Sequence, residues 1–321
     1  MPSSARSKPG SPHREKLALL VPSFQHQRYL SRLLDSICRQ TRKPDEILVS
    51  DDASADGSYE LLKGWARGRL GVKIFRQPQN LGITENSNFL LRRTKAELVM
   101  FLHSDDLFRH ARTLERLESL LQKNPTTVLA AAGKIFLDDD SGLGKAESGL
   151  FTGLHAGKEV RQKILWAEAN VVGEPSCVLF RRRYIQSGFD PAYRQLWDLE
   201  AWLRLLRQGD LVYLAQPLIG IRRHAGQATR QNAQEGRLIG EHLRLFGRAL
   251  AEEGPCLSAE DRYRLLYKLT RTACRHPRAV SPEIRTILSR EKKRMGVAEY
   301  YRQKIRYRVG RWFTRSSISY Q

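Results

Sequence analysis

The sequence predicts an α/β fold: a mainly parallel sheet flanked by helices, followed by a helical, basic C-terminal extension. Three observations predict it. Short apolar runs of buried-strand type alternate with segments whose apolar residues recur at helical spacing. The alternation stays regular over the first third of the chain, as expected of a parallel sheet covered by crossover helices. From about Asn232 onward the pattern is helical and rich in Lys and Arg.

The elements follow in order. Leu17 to Pro22 (LALLVP) is the first strand, and Leu30, Leu33, Leu34 and Ile37 mark the apolar stripe of the helix behind it. Glu46 to Asp51 (EILVSD) is the second strand; Asp56 offers a helix cap, and Leu61, Leu62 and Trp65 line the next helix. Val72 to Gln77 is a third strand, Thr84 to Arg93 a third helix, and Leu98 to His103 (LVMFLH) a fourth strand. A helix at about Ala111 to Lys123 leads to a strand at Val128 to Leu137 and a Gly- and Asp-rich loop, where the regular alternation ends. The second half reads as a strand near Cys177 to Phe180, a helix through Asp198 to Arg207, and strands at Leu211 to Leu214 and Leu218 to Arg223. No internal repeat is present.

A chain of 321 residues with 41% hydrophobic content suits one large α/β domain with an appendage. Its longest uncharged apolar runs, such as Leu17 to Val21, fall far short of the roughly 20 residues that cross a bilayer. Residues 1–15, rich in Pro, Ser, Gly and charge, lack the apolar stretch of a secretory signal and read as a disordered leader. Cys38, Cys177, Cys256 and Cys274 form no Cys-x-x-Cys pair, so a zinc or redox site is not expected and a reducing cytoplasm fits. The net charge of +21 points to a polyanionic partner: nucleic acid, anionic lipid or a phosphate-rich substrate.

Ligands of open parallel sheets bind at the carboxyl ends of the strands. Here those ends are acidic. The second strand runs into SDDASADGS (Ser50 to Ser58) and the fourth into HSDDL (His103 to Leu107), two Asp pairs suited to hydrogen-bond donors, a divalent cation, or both. No Gly-x-Gly-x-x-Gly turn follows the first strand and no P-loop occurs, which disfavours dinucleotide enzymes and P-loop NTPases.

The order of these signals resembles glycosyltransferase family 2 over roughly Lys16 to Arg230. VPSFQHQRYLSRLLDSI is similar to that family's first strand and helix, with Gln25 where Asn is more usual, and DEILVSDDASADGSYELL to its Asp-Asp-x-Ser-x-Asp-Gly-Ser segment. QPQNLGITENSNFLL resembles the family's Asn-x-Gly segment and MFLHSDDLF its Asp-x-Asp-Asp metal motif, with His103 in the place of the first Asp. NVVGEPSCVLFRR, GFDPAYRQLWDLEAWLRLLRQG and IGIRRHAG complete the order.

The resemblance implies a GT-A fold at 16–230 with a helical basic extension at 231–321. It implies an inverting, metal-dependent transferase that takes a UDP- or dTDP-type sugar to a hydroxyl of a glycan or lipid-linked acceptor in cell-surface polysaccharide synthesis. Pro22, Ser23, Asp51, Asp52, Asn80, Gly82, Asn86 and Ser104 are then expected at the nucleotide. Asp105, Asp106 and His224 are expected at Mn2+ or Mg2+, since carboxylate oxygens suit such cations. Arg222 and Arg223 beside His224 are suited to phosphate oxygens.

Asp198 is the expected general base, with an N-cap as its competing structural role. Trp197 stands where an acidic residue commonly precedes that base, and Glu200 is the weaker candidate. The basic stretch Arg285 to Arg315, with Tyr300, Tyr301, Tyr307, Trp312 and Phe313, suits an anionic membrane surface, which makes the protein peripheral on the inner face of the cell membrane. Charge alone suggests a nucleic-acid-binding protein instead, but no nucleic-acid-binding motif is present and no nucleic-acid partner is expected. A nucleotidyltransferase is the third reading, and its Gly-rich loop after the first strand is absent.

Overall fold

Every side chain from Leu17 to Val21 is fully buried, as in a strand enclosed on both faces. The computed structural model describes residues 14–138, 144–224 and 237–305, so nearly all of the expected leader lies outside the described residues. The strands are β1 (Leu17–Ser23), β2 (Glu46–Asp51), β3 (Val72–Arg76), β4 (Leu98–Phe101), β5 (Leu107–Phe108), β6 (Thr127–Asp138), β7 (Ala146–Glu147), β8 (Gly153–His155), β9 (Val178–Arg181) and β10 (Asp210–Arg223). They join one sheet in the order β3-β2-β1-β4-β9-β6-β10-β5, with β7 on β6 and β8 on β10.

β1 lies parallel to β2 and β4, and β2 parallel to β3. β9 runs antiparallel to both β4 and β6, and β10 runs parallel to β6. The carboxyl ends of β1, β2, β4, β6 and β10 therefore share one edge of the sheet, the edge at which ligands bind in such folds.

The helices are α1 (Gln27–Cys38), α2 (Ser58–Ala66), α3 (Ile83–Arg93), α4 (Thr113–Lys123), α5 (Gly157–Ala167), α6 (Trp197–Leu205), α7 (Arg237–Glu253), α8 (Ala259–Arg275) and α9 (Pro282–Met295). α1 buries Leu30, Leu33, Leu34 and Ile37, the stripe its periodicity predicts, together with Tyr29 and Ser36. None of the helices among the described residues is long and apolar enough to cross a membrane.

Three local departures from the sequence reading stand out, two of them with a physical cause. The two strands expected at Leu211 to Leu214 and Leu218 to Arg223 are one strand, β10, whose register against β6 shifts between Leu214 and Ile219. Pro217 sits in that irregularity, where its missing N–H leaves no ladder bond unmade. Asp56 lies one residue before the N-cap of α2: Gly57 takes that position at φ 87°, and Asp56 accepts from the amides of Ser58 (3.0 Å) and Gln27 (2.9 Å). The third departure is β5, two residues paired antiparallel with β10, within what reads as loop.

The C-terminal helices share the core of the sheet domain. Leu243, Phe246 and Leu250 of α7, Leu265, Leu266 and Leu269 of α8, and Ile284, Ile287 and Leu288 of α9 belong to the same buried cluster as β1 and β4. The bond between Arg161 of α5 and Glu253 of α7, at 2.9 Å, fastens the join. The basic stretch from Arg285 therefore begins on a helix with one face packed inward.

Candidate active site

At the end of β1, Pro22 and Ser23 stand in register with Ser50 and Asp51 of β2. Asp51 Oδ2 accepts from the Ser54 amide at 3.1 Å, and Arg76 approaches it at 3.9 Å. Its Oδ1 is buried without a hydrogen-bond partner among the described residues, as are Ser23 Oγ and Asn86 Oδ1. Asn86, on α3, is oriented by the bond from its Nδ2 to the Ser50 carbonyl at 3.0 Å. A buried polar atom left unpaired costs about 1–3 kcal/mol, and three of them gather where the ends of β1 and β2 meet α3.

Asp52 is used differently. Its two oxygens accept from the amides of Leu81 (2.8 Å) and Gly82 (2.9 Å), while burial pushes its carboxyl above the ordinary range. Gly82 has φ 82°, and Asn80 Oδ1 accepts from the same amide at 3.0 Å. Asp52 thus pins the Asn80 to Gly82 loop against the end of β2, with Asn80 on the surface.

Beyond β4 the chain turns through His103, Ser104, Asp105 and Asp106. Asp105 Oδ2 lies 3.2 Å from His224 Nε2, just past the end of β10, and Oδ1 lies 3.9 Å from His26 Nδ1, just past the end of β1. Ser104 Oγ meets the same His26 nitrogen at 2.8 Å. The His26 and His224 rings sit edge to face at 5.4 Å, and Tyr29 packs on both. Burial lowers the His26 pKa and so favours the neutral ring. Ligand atoms of His26, Asp105 and His224 lie within 4.8 Å of one another, as do those of His103, Asp105 and Asp106. This donor set fits a divalent cation: with bonds of about 2.1 Å, its ligands sit about 3–4 Å apart.

Asp106 faces inward. Ser176 Oγ donates to its Oδ2 at 2.5 Å and the Arg222 amide to its Oδ1 at 3.3 Å, and burial raises its pKa well above the ordinary value. Ser176 Oγ also accepts from the His103 amide at 3.0 Å. The His103 ring packs near Trp197, its Nε2 is buried without a partner among the described residues, and burial lowers its pKa. Of the two neighbouring arginines, Arg223 is exposed, its guanidinium over the Phe136 ring at 3.5 Å.

Asp198 occupies the first turn of α6, whose N-cap is Leu196. Asp198 is therefore not the N-cap, though its carboxylate meets the Leu199 amide and its own at the helix start, while Glu241 of α7 accepts from the amides of Arg194, Gln195 and Leu196 at 2.8, 2.8 and 2.9 Å. Asp198 Oδ2 accepts from Asn170 Nδ2 at 3.0 Å, and burial pushes its carboxyl up to about 7. Trp197 is buried against Phe189 with ring centroids 4.5 Å apart, and Glu200 is engaged by Arg204 at 3.1 Å.

Several residues join the site without a role assigned by sequence: His26, Asn170, Ser176, Glu241, and the Lys134–Glu174 ion pair at 2.6 Å. Asn170, Glu174 and Ser176 lie in the NVVGEPSCVLFRR segment, so their region carried a signal. His26 lies in the VPSFQHQRYLSRLLDSI segment, which gave it no role of its own, and Glu241 had no signal.

Comparison with known proteins agrees with this architecture. The glycosyl transferase family 2 profile matches residues 18–189. A relative from Campylobacter jejuni, a GalNAc(5)-diNAcBac-PP-undecaprenol beta-1,3-glucosyltransferase, is 30% identical over 149 residues, 46% of each chain, so the match spans under half of that protein. Among solved structures, TarS residues 1–349 from Staphylococcus aureus superimpose with a TM-score of 0.60 at 16% identity, covering 92% of both chains. The mannosyltransferase PcManGT from Pyrobaculum calidifontis, solved with GDP-Man and Mn2+, gives 0.54 at 17% identity over 90% of this chain and 83% of its own. The chain belongs to glycosyl transferase family 2 and has the GT-A fold.

Proposed function

We propose that the protein is an inverting transferase that moves a sugar from a UDP- or dTDP-sugar to a hydroxyl of a glycan or lipid-linked acceptor in cell-surface polysaccharide synthesis, working at the cytoplasmic face of the membrane. The observation that carries this reading is the setting of Asp105: a buried carboxylate between two imidazoles, on the strand edge that also holds the unpaired oxygens of Ser23, Asp51 and Asn86. TarS has been solved with UDP and with UDP-GlcNAc, and the Campylobacter relative is named for a PP-undecaprenol-linked glycan, which supports the donor and acceptor classes.

Asp51 Oδ1 and Asn86 Oδ1 accept hydrogen bonds from the base or ribose, since an ionised carboxylate and an amide oxygen are acceptors. Ser23 and Pro22 line the same end of β1, and Asp52 fixes the loop through Asn80 and Gly82 beside it, at the end of β2. Asp105 and His224 would hold Mn2+ or Mg2+, with Ser104 and Asp106 fixing the turn behind them. When bound, the cation supplies Lewis-acid neutralisation of the diphosphate leaving group.

Asp198 accepts the proton of the acceptor hydroxyl as its oxygen bonds to the anomeric carbon from the face opposite the diphosphate, whose bond to that carbon breaks. A carboxyl raised to about 7 is matched to this task near neutral pH, and Asn170 holds one of its oxygens in place. The test is a panel of nucleotide sugars with manganese, scored by release of nucleoside diphosphate. Turnover is expected with a UDP- or dTDP-sugar, and to vanish in Asp105→Ala and in excess chelator. Chelator-insensitive turnover would remove the metal from the mechanism.

A further inference from the structure

We infer that His26 is a third protein ligand of the donor-site cation, and that the resulting set of two imidazoles and one carboxylate selects Mn2+ or Co2+ over Mg2+. The inference rests on the proposed nucleotide-sugar site and goes beyond it, because neither the motif order nor the strand-end acids single out His26.

The sequence places an imidazole, His103, where a carboxylate is more usual, so the turn after β4 is short of one hard oxygen ligand. The fold brings a replacement from the turn between β1 and α1. His26 Nδ1 and His224 Nε2 each face a different oxygen of Asp105, at 3.9 and 3.2 Å. Side-chain exposure falls from 20% at His26 to 12% at Asp105 and 3% at His224, so the His26 side is the open side of the cluster. An incoming cation and diphosphate meet it first.

His26 is also free to ligate. Its polar neighbour at Nδ1 is the Ser104 hydroxyl, at 2.8 Å, which can rotate and release the nitrogen lone pair. The alternative cluster, His103 with Asp105 and Asp106, is less available, because both Asp106 oxygens already accept bonds from Ser176 and the Arg222 amide.

Ligand chemistry then decides the metal. Mg2+ prefers oxygen and sheds water reluctantly, whereas imidazole favours later divalent ions, with affinity rising from Mn2+ to Co2+ at nitrogen sites. Removing one imidazole should cost more affinity for Mn2+ and Co2+ than for Mg2+.

The experiment uses the full chain with UDP. Mn2+ binding is followed by loss of the free-ion EPR signal, with Co2+ and Mg2+ as competitors. Mn2+ and Co2+ should bind about tenfold or more tighter than Mg2+, and His26→Ala should erase most of that preference. Equal Mn2+ affinity in wild type and His26→Ala overturns the inference, as does a Mn2+ loss in His103→Ala that His26→Ala does not share.

Pulsed EPR of the wild-type Mn2+ complex gives a result independent of variant folding: nitrogen couplings from two imidazoles support the inference, and from one or none overturn it. UDP and dTDP binding by calorimetry at saturating Mn2+ reports separately on the nucleotide site. Its absence overturns the functional reading on which the inference rests.

Discussion

Asn170 Nδ2 donates to Asp198 Oδ2 at 3.0 Å, joining the loop after α5 to the first turn of α6. That contact orients a carboxyl whose burial holds it at about 7, far above the 3.8 of a free aspartate. The turnover rate should therefore rise with pH and level off above about 7, because only the carboxylate accepts a proton. Asp198→Asn should lower kcat by about 10²–10⁴ while nucleotide binding persists. A variant that keeps more than about a tenth of the wild-type rate lies outside that range, and Glu200 becomes the next residue to test.

The same group carries a stability signature. The folded state binds the Asp198 proton more tightly than the unfolded state, so its contribution is full below pH 3.8 and is lost as pH rises through about 7. The loss amounts to at most about 4 kcal/mol. Asp198→Asn removes this dependence, so its melting temperature should exceed wild type at pH 8 and converge with it near pH 4. A difference that stays constant across that range would show that burial does not hold the proton on Asp198.

Asp51 and Asp52 are neighbours with separable tasks. Asp51→Asn should weaken UDP binding about tenfold or more with little change in melting temperature, because its Oδ1 has no protein partner to lose. Asp52→Ala leaves the Leu81 amide without its acceptor and the Gly82 amide with Asn80 Oδ1 alone, and should cost about 1–3 kcal/mol of stability. Calorimetric titration with UDP, run beside thermal melts, separates the two effects. Similar profiles for both variants would refute the division.

Glu241 satisfies the amide of the α6 N-cap, Leu196, and those of Arg194 and Gln195 just before it. Its charge also lies at the positive end of that helix. Glu241→Ala should lower stability by about 1–3 kcal/mol and reduce kcat more than it changes UDP affinity, because α6 carries Asp198 and not the nucleotide residues. Unchanged turnover in a folded Glu241→Ala protein would mean that α6 needs no anchoring from the extension.

The membrane expectation needs a cut placed by the structure. α9 buries Ile284, Ile287 and Leu288, so truncation near Pro282 would remove packed core. Ending the chain at residue 305 instead removes Arg306, Arg308, Arg311 and Arg315 with Trp312 and Phe313, all outside the described residues. Each arginine near an anionic surface is worth about 1 kcal/mol at low salt, so the truncated protein should bind phosphatidylglycerol vesicles at least about tenfold more weakly. Equal sedimentation of both forms with the vesicles would move membrane contact elsewhere on the molecule.

By itself the sequence determined the α/β class, the alternating elements through α4, and the strand ends that carry the acidic pairs. These are local properties: apolar periodicity and turn composition act over a few residues, and Asp51 and Asp105 follow their own strands. Tertiary structure alone decided which distant residues meet. His26, Asp105 and His224 converge because β1, β4 and β10 end on one edge, a consequence of pairing among strands far apart in the chain. The separation of Asp51 from Asp52 depends on a loop some thirty residues onward. Glu241 lies 45 residues beyond the amide of Leu196, and no window of sequence links them. The raised pKa of Asp198 is likewise a property of burial. Periodicity shows that a helix forms there; only the packed neighbours exclude the water that would otherwise stabilise the charge.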